Sequence, residues 1–116
     1  MTVKECYEIM KGDYDDVLSR LRTDERIKKF LIKVLSDPSF LQLCSAMESQ
    51  NMEEAFRAAH TLKGVCKNMS ITNLAYSASN LTEALRGRQE YGEDLDALFK
   101  KVKKDYALTM ACIQML

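Results

Sequence analysis

The sequence predicts an all-α fold, an antiparallel four-helix bundle with additional short N-terminal helices. The 116 residues include only one proline and four glycines, so few positions interrupt a helix. Apolar residues recur at spacings of three and four, and no run of alternating apolar and polar residues indicates a strand. Short loops between helices with such apolar seams are typical of antiparallel neighbours in a bundle.

The first two helices are predicted to be short. Thr2 and Glu5 fit a capping box that opens the first helix, and Gly12 is a natural left-handed stop after it. Asp13 then caps a second helix over residues 14–21.

Two further helices are expected before residue 50. Thr23 can cap a helix whose apolar face consists of Ile27, Phe30, Leu31, Val34 and Leu35. Ser36-Asp37-Pro38 ends this helix and begins the next one, with proline in its first turn. This next helix is expected to bury Phe40, Leu43, Cys44 and Met47.

Long apolar seams mark the rest of the chain. A helix capped by Asn51, with Glu54, carries a seam of Met52, Ala55, Ala59, Leu62, Cys66 and Met69. A second helix carries Ile71, Leu74, Ala78, Leu81 and Leu85. After a polar turn between Gly87 and Gly92, the last helix carries Leu95, Leu98, Val102, Tyr106, Thr109, Ile113 and Leu116.

The length suits one hydrophobic core and is too short for two ordinary domains, so a single domain over 1–116 is expected. Its parts are an N-terminal helical arm at about 1–50, the histidine-bearing helix and its hairpin partner at about 51–87, and a C-terminal helix at about 93–116. The starting Met1 and the balanced helical ends favour a stand-alone protein over an excised domain.

The charge balance narrows the class of partner. Seventeen basic and seventeen acidic residues cancel, which removes the electrostatic reason to expect a nucleic acid or an anionic membrane. No apolar run approaches the roughly 20 residues that cross a bilayer, and a cytoplasmic protein is expected. The four cysteines form no C-x-x-C pair and are predicted to be reduced and buried: Cys6, Cys44, Cys66 and Cys112.

The only histidine of the chain faces away from its helix seam. At about 100° per residue the seam centres on Leu62, whereas the opposite face holds Glu53, Phe56, Arg57, His60, Lys63, Gly64 and Lys67. His60 and the ring of Phe56 are therefore expected to be exposed. A lone histidine on such a face is usually just a polar residue, so His60 alone does not indicate a site.

Two neighbours of His60 favour a functional reading. Gly64 lies one turn later, where a glycine costs roughly 1 kcal/mol against alanine but leaves room for a bulky group. Lys63 lies at i+3, from which its ammonium can reach a phosphoryl group carried on the imidazole. Neutral imidazole is a good nucleophile near pH 7.

The segment His60-Thr61-Leu62-Lys63-Gly64 resembles the H-x-x-K-G signature of histidine phosphotransfer (HPt) domains, and Leu81 to Leu85 is similar to the family's second hairpin helix. The resemblance implies a four-helix core, a phosphorylatable His60, and receiver domains of response regulators as partners. Ser70 stands where the family usually has a glycine turn, and we expect it to cap the next helix instead. No family signature is found before about Asn51.

This resemblance implies a carrier in a two-component phosphorelay rather than a free-standing enzyme. His60 would accept a phosphoryl group from a receiver aspartate, Lys63 would stabilise its charge, and Gly64 would give access. Phe56, Arg57 and Lys67 are expected to contact the partner. No metal site or cofactor of its own is expected; Mg²⁺ should reside on the receiver. A monomer is expected, with a hybrid sensor kinase among its partners.

Two other functions remain open from the sequence. One is a helical adaptor that docks a signalling partner through the Phe56 and His60 face without being phosphorylated. The other is a metal-dependent enzyme with a carboxylate and histidine site in the bundle core, which the outward direction of the only histidine disfavours. The sequence does not identify the kinase, the response regulator or the signal.

Overall fold

The computed structural model describes all 116 residues and is all-helical, which confirms the all-α part of the prediction. It contains seven helices: α1 (Val3–Ile9), α2 (Tyr14–Leu21), α3 (Asp24–Val34), α4 (Ser39–Glu48), α5 (Met52–Asn68), α6 (Thr72–Leu85) and α7 (Asp94–Gln114). None of them combines the length and the apolar character that crossing a bilayer requires.

Four helices begin at the predicted capping residues. Thr2 and Glu5 form both hydrogen bonds of the capping box that opens α1. The side chains of Asp13, Thr23 and Asn51 each accept from the backbone N–H three residues later, at the starts of α2, α3 and α5. These bonds satisfy amides that have no partner within the helix, so local sequence decides where these helices begin.

The larger helices pack around one core of 28 buried residues. Helix α5 packs against α4 and α6, and α6 also packs against α7. The seams predicted for α5 and α6 are buried throughout. The antiparallel order of a four-helix bundle stays a prediction.

In α4 the predicted burial is wrong for two of four residues. Leu43 and Met47 are buried, whereas Phe40 and Cys44 are half-buried. Phe40 lies at the rim of the core, where its ring stacks on Tyr106 with centroids 3.7 Å apart. The other three cysteines are buried, and all four thiols are free.

The connection between α1 and α2 corrects the role predicted for Gly12. Lys11, not Gly12, takes the left-handed conformation after α1, with φ at 57°. A Cβ at Gly12 would lie 2.7 Å from the ring of Tyr7 and 2.8 Å from the carbonyl oxygen of Ser70. Glycine is therefore needed here because two parts of the chain approach its backbone closely.

Ser70 lies at the turn between α5 and α6 and does not cap α6, contrary to the expectation. The residue before α6 is Ile71, which provides no side-chain cap. The hydroxyl of Ser70 instead donates to Asp16 Oδ2 at 2.5 Å and accepts from Arg20 Nη2 at 2.6 Å. Ser70 keeps the left-handed backbone that a glycine would favour, with φ at 55°. Its bonds to α2 offset the strain of that conformation.

Further bonds fasten the N-terminal helices to the same turn. The Tyr7 hydroxyl donates to the carbonyl of Met69 at 2.7 Å, and the amide of Asp13 donates to the carbonyl of Ser70 at 2.9 Å. The hydrogen bonds from Ser70 and then from Arg20 hold the pKa of the Asp16 carboxyl below its usual range. Helices α1 and α2 are thus an integral part of the fold at the end of α5.

Replacing Gly12 with alanine is expected to destabilise the protein by about 2 kcal/mol or more, because a ring and a backbone carbonyl must both move. Urea unfolding measures the effect. The matched control is Gly64→Ala, because nothing lies within 4 Å of a Cβ added there. Equal stabilities of the two variants would contradict the close packing at Gly12.

Candidate functional site

His60 is exposed at the middle of α5, as predicted, eight residues from each end of the helix. The buried residues Ala59 and Leu62 on either side set the rotation of the helix about its axis. Because that rotation is held by the core, the imidazole is presented to solvent from a rigid support.

Phe56 does not project freely into solvent, and this corrects the prediction. The side chain is half-buried and packs against the core. Its ring lies parallel to the imidazole of His60, with centroids 5.9 Å apart and an angle of 4° between the planes. Phe56 therefore supports His60 as well as offering an edge to a partner. Its truncation would disturb both the fold and docking, so Phe56→Ala is no clean probe of docking alone.

Arg86 and Glu83 belong to the same site and were missed from the sequence. The Arg86 guanidinium lies 5.0 Å from the centroid of the Phe56 ring and pairs with Glu83 at 3.0 Å. The pKa of Glu83 lies below its usual range, chiefly because Arg86 donates a hydrogen bond to it. Glu83 and Arg86 therefore lie beside the Phe56 ring, which stacks on His60.

The positions of Glu83 and Arg86 in the sequence give a weak indication that they share a surface. Glu83 and Arg86 are three residues apart and both lie off the apolar seam of α6. Only the packing of α6 against α5 shows that this face of α6 lies beside His60, which is why the sequence alone did not point to them.

Gly64 opens the space beside His60. It is exposed on α5, and apart from its chain neighbours and the backbone of its own helix no atom lies within 4 Å of a Cβ built at this position. No packing contact in the folded chain requires a glycine here, although glycine weakens a helix interior by about 1 kcal/mol relative to alanine. Lys63, the residue before it, is half-buried.

Arg57 and Lys67, both expected to contact a partner, are exposed on α5. The guanidinium of Arg57 pairs with Glu53 at 2.5 Å and with Glu54 at 3.0 Å. Its charge is therefore largely met within its own helix. Because exposed ion pairs contribute only about 0–1 kcal/mol, a partner could still rearrange this one.

The chain contains no group of three or more histidine, cysteine, aspartate or glutamate side chains that could hold a metal ion. The alternative of a metal site in the core therefore finds no ligand set. Burial raises the pKa of Cys66 to about 12 and that of Cys6 to about 11, which keeps both thiols protonated and poorly nucleophilic.

The Hpt domain family matches residues 34–113, which include α4 to α6, all of α7 except its last residue, and the whole site around His60. No curated protein and no solved structure matches the chain.

The match covers more than half of the chain and leaves α1, α2 and nearly all of α3 outside it. Hpt domains are phosphocarrier modules that interact with receiver domains in phosphorelays. An exposed histidine on a bundle helix, beside basic side chains and an open glycine, fits such a module. The chain belongs to the Hpt domain family.

Proposed function

We propose that this protein accepts a phosphoryl group on His60 from a receiver-domain aspartate and passes it to another receiver in a two-component phosphorelay. The observation that carries the proposal is the open space at Gly64 beside the exposed imidazole, since no contact within the fold accounts for a glycine there. We further propose that the protein acts as a cytoplasmic monomer and that a hybrid sensor kinase is among its partners.

The chemistry needs one nucleophile from this chain. The lone pair of the unprotonated ring nitrogen of His60 attacks phosphorus in line, so a P–N bond forms while the P–O bond to the receiver aspartate breaks. The aspartate leaves as a carboxylate with the electron pair of that bond. Phosphoryl transfer depends mainly on positioning and charge stabilisation, so a carrier with one reactive side chain is sufficient.

Basic side chains near His60 would stabilise the negative charge of the phosphoryl group during transfer. Lys63 would bring a mobile positive charge to the phosphoryl oxygens, and Arg86, held over Phe56 and paired with Glu83, would add a second one. We propose that the Mg²⁺ neutralising the transfer belongs to the receiver, because the residues of this chain offer no ligand group for it.

The proposal is tested by incubating the protein with a receiver domain labelled on its aspartate. Radiolabel that moves to the protein and is absent from a His60→Gln variant supports the carrier. Tight binding without label on His60 would instead identify a helical adaptor, the other function compatible with this surface.

Replacing Lys63 with alanine is expected to slow transfer on the order of ten-fold while changing receiver affinity little, because its charge acts when phosphoryl oxygens arrive. Single-turnover transfer and equilibrium binding measure the two effects separately. Lys67→Ala is the matched control, because this lysine lies one turn further from His60. Its loss should weaken receiver binding more than it slows phosphoryl transfer within the bound complex. An unchanged transfer rate in Lys63→Ala would remove Lys63 from the site.

A further inference from the structure

The exposed side of α5 that carries Phe56, His60 and Gly64 is here called the His60 face. We propose that a groove beside this face is part of the surface that contacts the receiver, and that it determines which receivers are accepted. The groove, here called the arm groove, lies between α2 and α6 at the end of α5 and has a volume of about 390 Å³. Its walls include Asp13, Asp16, Lys67, Tyr76 and Ser79. This inference rests on the proposed function, because it takes the receiver to be the partner that covers His60.

The position of the arm groove brings it under any receiver that reaches His60. Lys67, on its wall, lies seven residues after His60 on the same helix, which is about 10 Å along the axis. Even a small interface buries about 600 Å² on each partner, equivalent to a disc of about 14 Å radius. A receiver centred on His60 would therefore extend over the mouth of the groove.

The α6 wall of the groove carries an aromatic side chain that the rest of the protein leaves exposed. Tyr76, on α6, is 69% exposed. It is the one aromatic residue among the large hydrophobic side chains that are exposed at the surface. Tyrosine is enriched among interface residues that contribute most to binding, because its ring is large and rigid and its hydroxyl tolerates water. An exposed ring at the edge of a groove is thus suited to a protein partner.

The α2 wall of the groove comes from a part of the chain that lies outside the family match. Asp13 and Asp16 precede the matched region, which begins at residue 34. The Ser70 hydroxyl accepts from Arg20 and donates to Asp16, and these bonds hold the α2 wall against the end of α5, so the groove is formed before a partner arrives. Phosphoryl transfer itself requires the contacts at His60, so side chains that line the groove are free to distinguish one receiver from another.

The experiment compares Tyr76→Ala with Met115→Ala. Met115 is 65% exposed and lies at the end of α7, which supplies no residue to the groove. Receiver affinity, single-turnover transfer from several labelled receivers, and loading of His60 by the small donor phosphoramidate are measured for both variants and the unsubstituted protein. Ser79→Gln, which places a larger side chain in the groove, is a second variant that leaves Tyr76 in place.

We expect Tyr76→Ala to weaken binding of the preferred receiver about ten-fold and to reduce the difference in rate between receivers, while phosphoramidate loading and thermal midpoint match the control. Ser79→Gln should show the same pattern. Affinities and preferences equal to those of Met115→Ala in both variants would overturn the inference. So would a change in oligomeric state by light scattering, since the groove would then be a contact between copies of this chain. Absence of label on the unsubstituted protein would instead defeat the proposed function.

Discussion

His60→Gln is expected to abolish phosphoryl acceptance from a receiver while leaving the thermal midpoint and the helix content almost unchanged. Glutamine has no nucleophilic ring nitrogen, and the exposed position on α5 makes few contacts that the fold needs. Surface substitutions of this kind usually change stability by less than about 0.5 kcal/mol. Label transfer, circular dichroism and thermal unfolding measure the three quantities.

The His60→Gln variant also distinguishes a loss of phosphoryl transfer from a loss of receiver binding. Receiver affinity should persist in His60→Gln, because Phe56 and Gly64 remain in place on the same face. Label that still appears on the variant would show that another residue accepts the phosphoryl group. A fall of many degrees in the thermal midpoint would show that His60 serves mainly the fold.

Gly64→Gln is expected to raise stability and lower transfer at the same time. Glutamine favours a helix interior over glycine by roughly 0.5–1 kcal/mol, and no atom within 4 Å of its Cβ opposes it. The longer side chain enters the space in which a receiver approaches His60. A small displacement of reacting groups reduces rates on the order of ten- to hundred-fold.

Gly64→Ala serves as the graded control for this prediction. Its methyl group should give a similar gain in stability with a smaller loss of transfer, because it occupies less of the open space. Loading by phosphoramidate should be less affected than transfer from a receiver in both variants, since a small donor needs less room. Receiver transfer that stays at the unsubstituted rate in Gly64→Gln would show that the open space has no part in access.

Local features of the sequence were sufficient to predict the starts of α1, α2, α3 and α5. A capping side chain needs only the backbone amide three residues away, so Thr23 and Asn51 could be assigned without knowledge of the fold. The outward direction of His60 likewise followed from helical periodicity around the seam that includes Leu62. Both inferences depend on contacts within a few residues along the chain.

Other features depended on which segments meet in space. Ser70 was expected to cap α6, yet its hydroxyl binds Asp16 and Arg20, which lie 54 and 50 residues away. The role of Gly12 was misassigned for the same reason, because the groups that crowd it include the carbonyl of Ser70. A pattern of neighbouring residues in the sequence does not indicate contacts between segments that lie so far apart along the chain.

The sequence by itself determined the helical class, the starts of α1, α2, α3 and α5, and the placement of His60 and Gly64 on the exposed side of α5. These follow from capping and from periodicity, which act over three or four residues. Only the tertiary structure decided that Phe56 is half-buried against His60 and that Arg86 and Glu83 join the site. It also decided that α2 forms a wall at the end of α5. The reason is that packing between helices sets these neighbours, and packing depends on residues far apart in the chain.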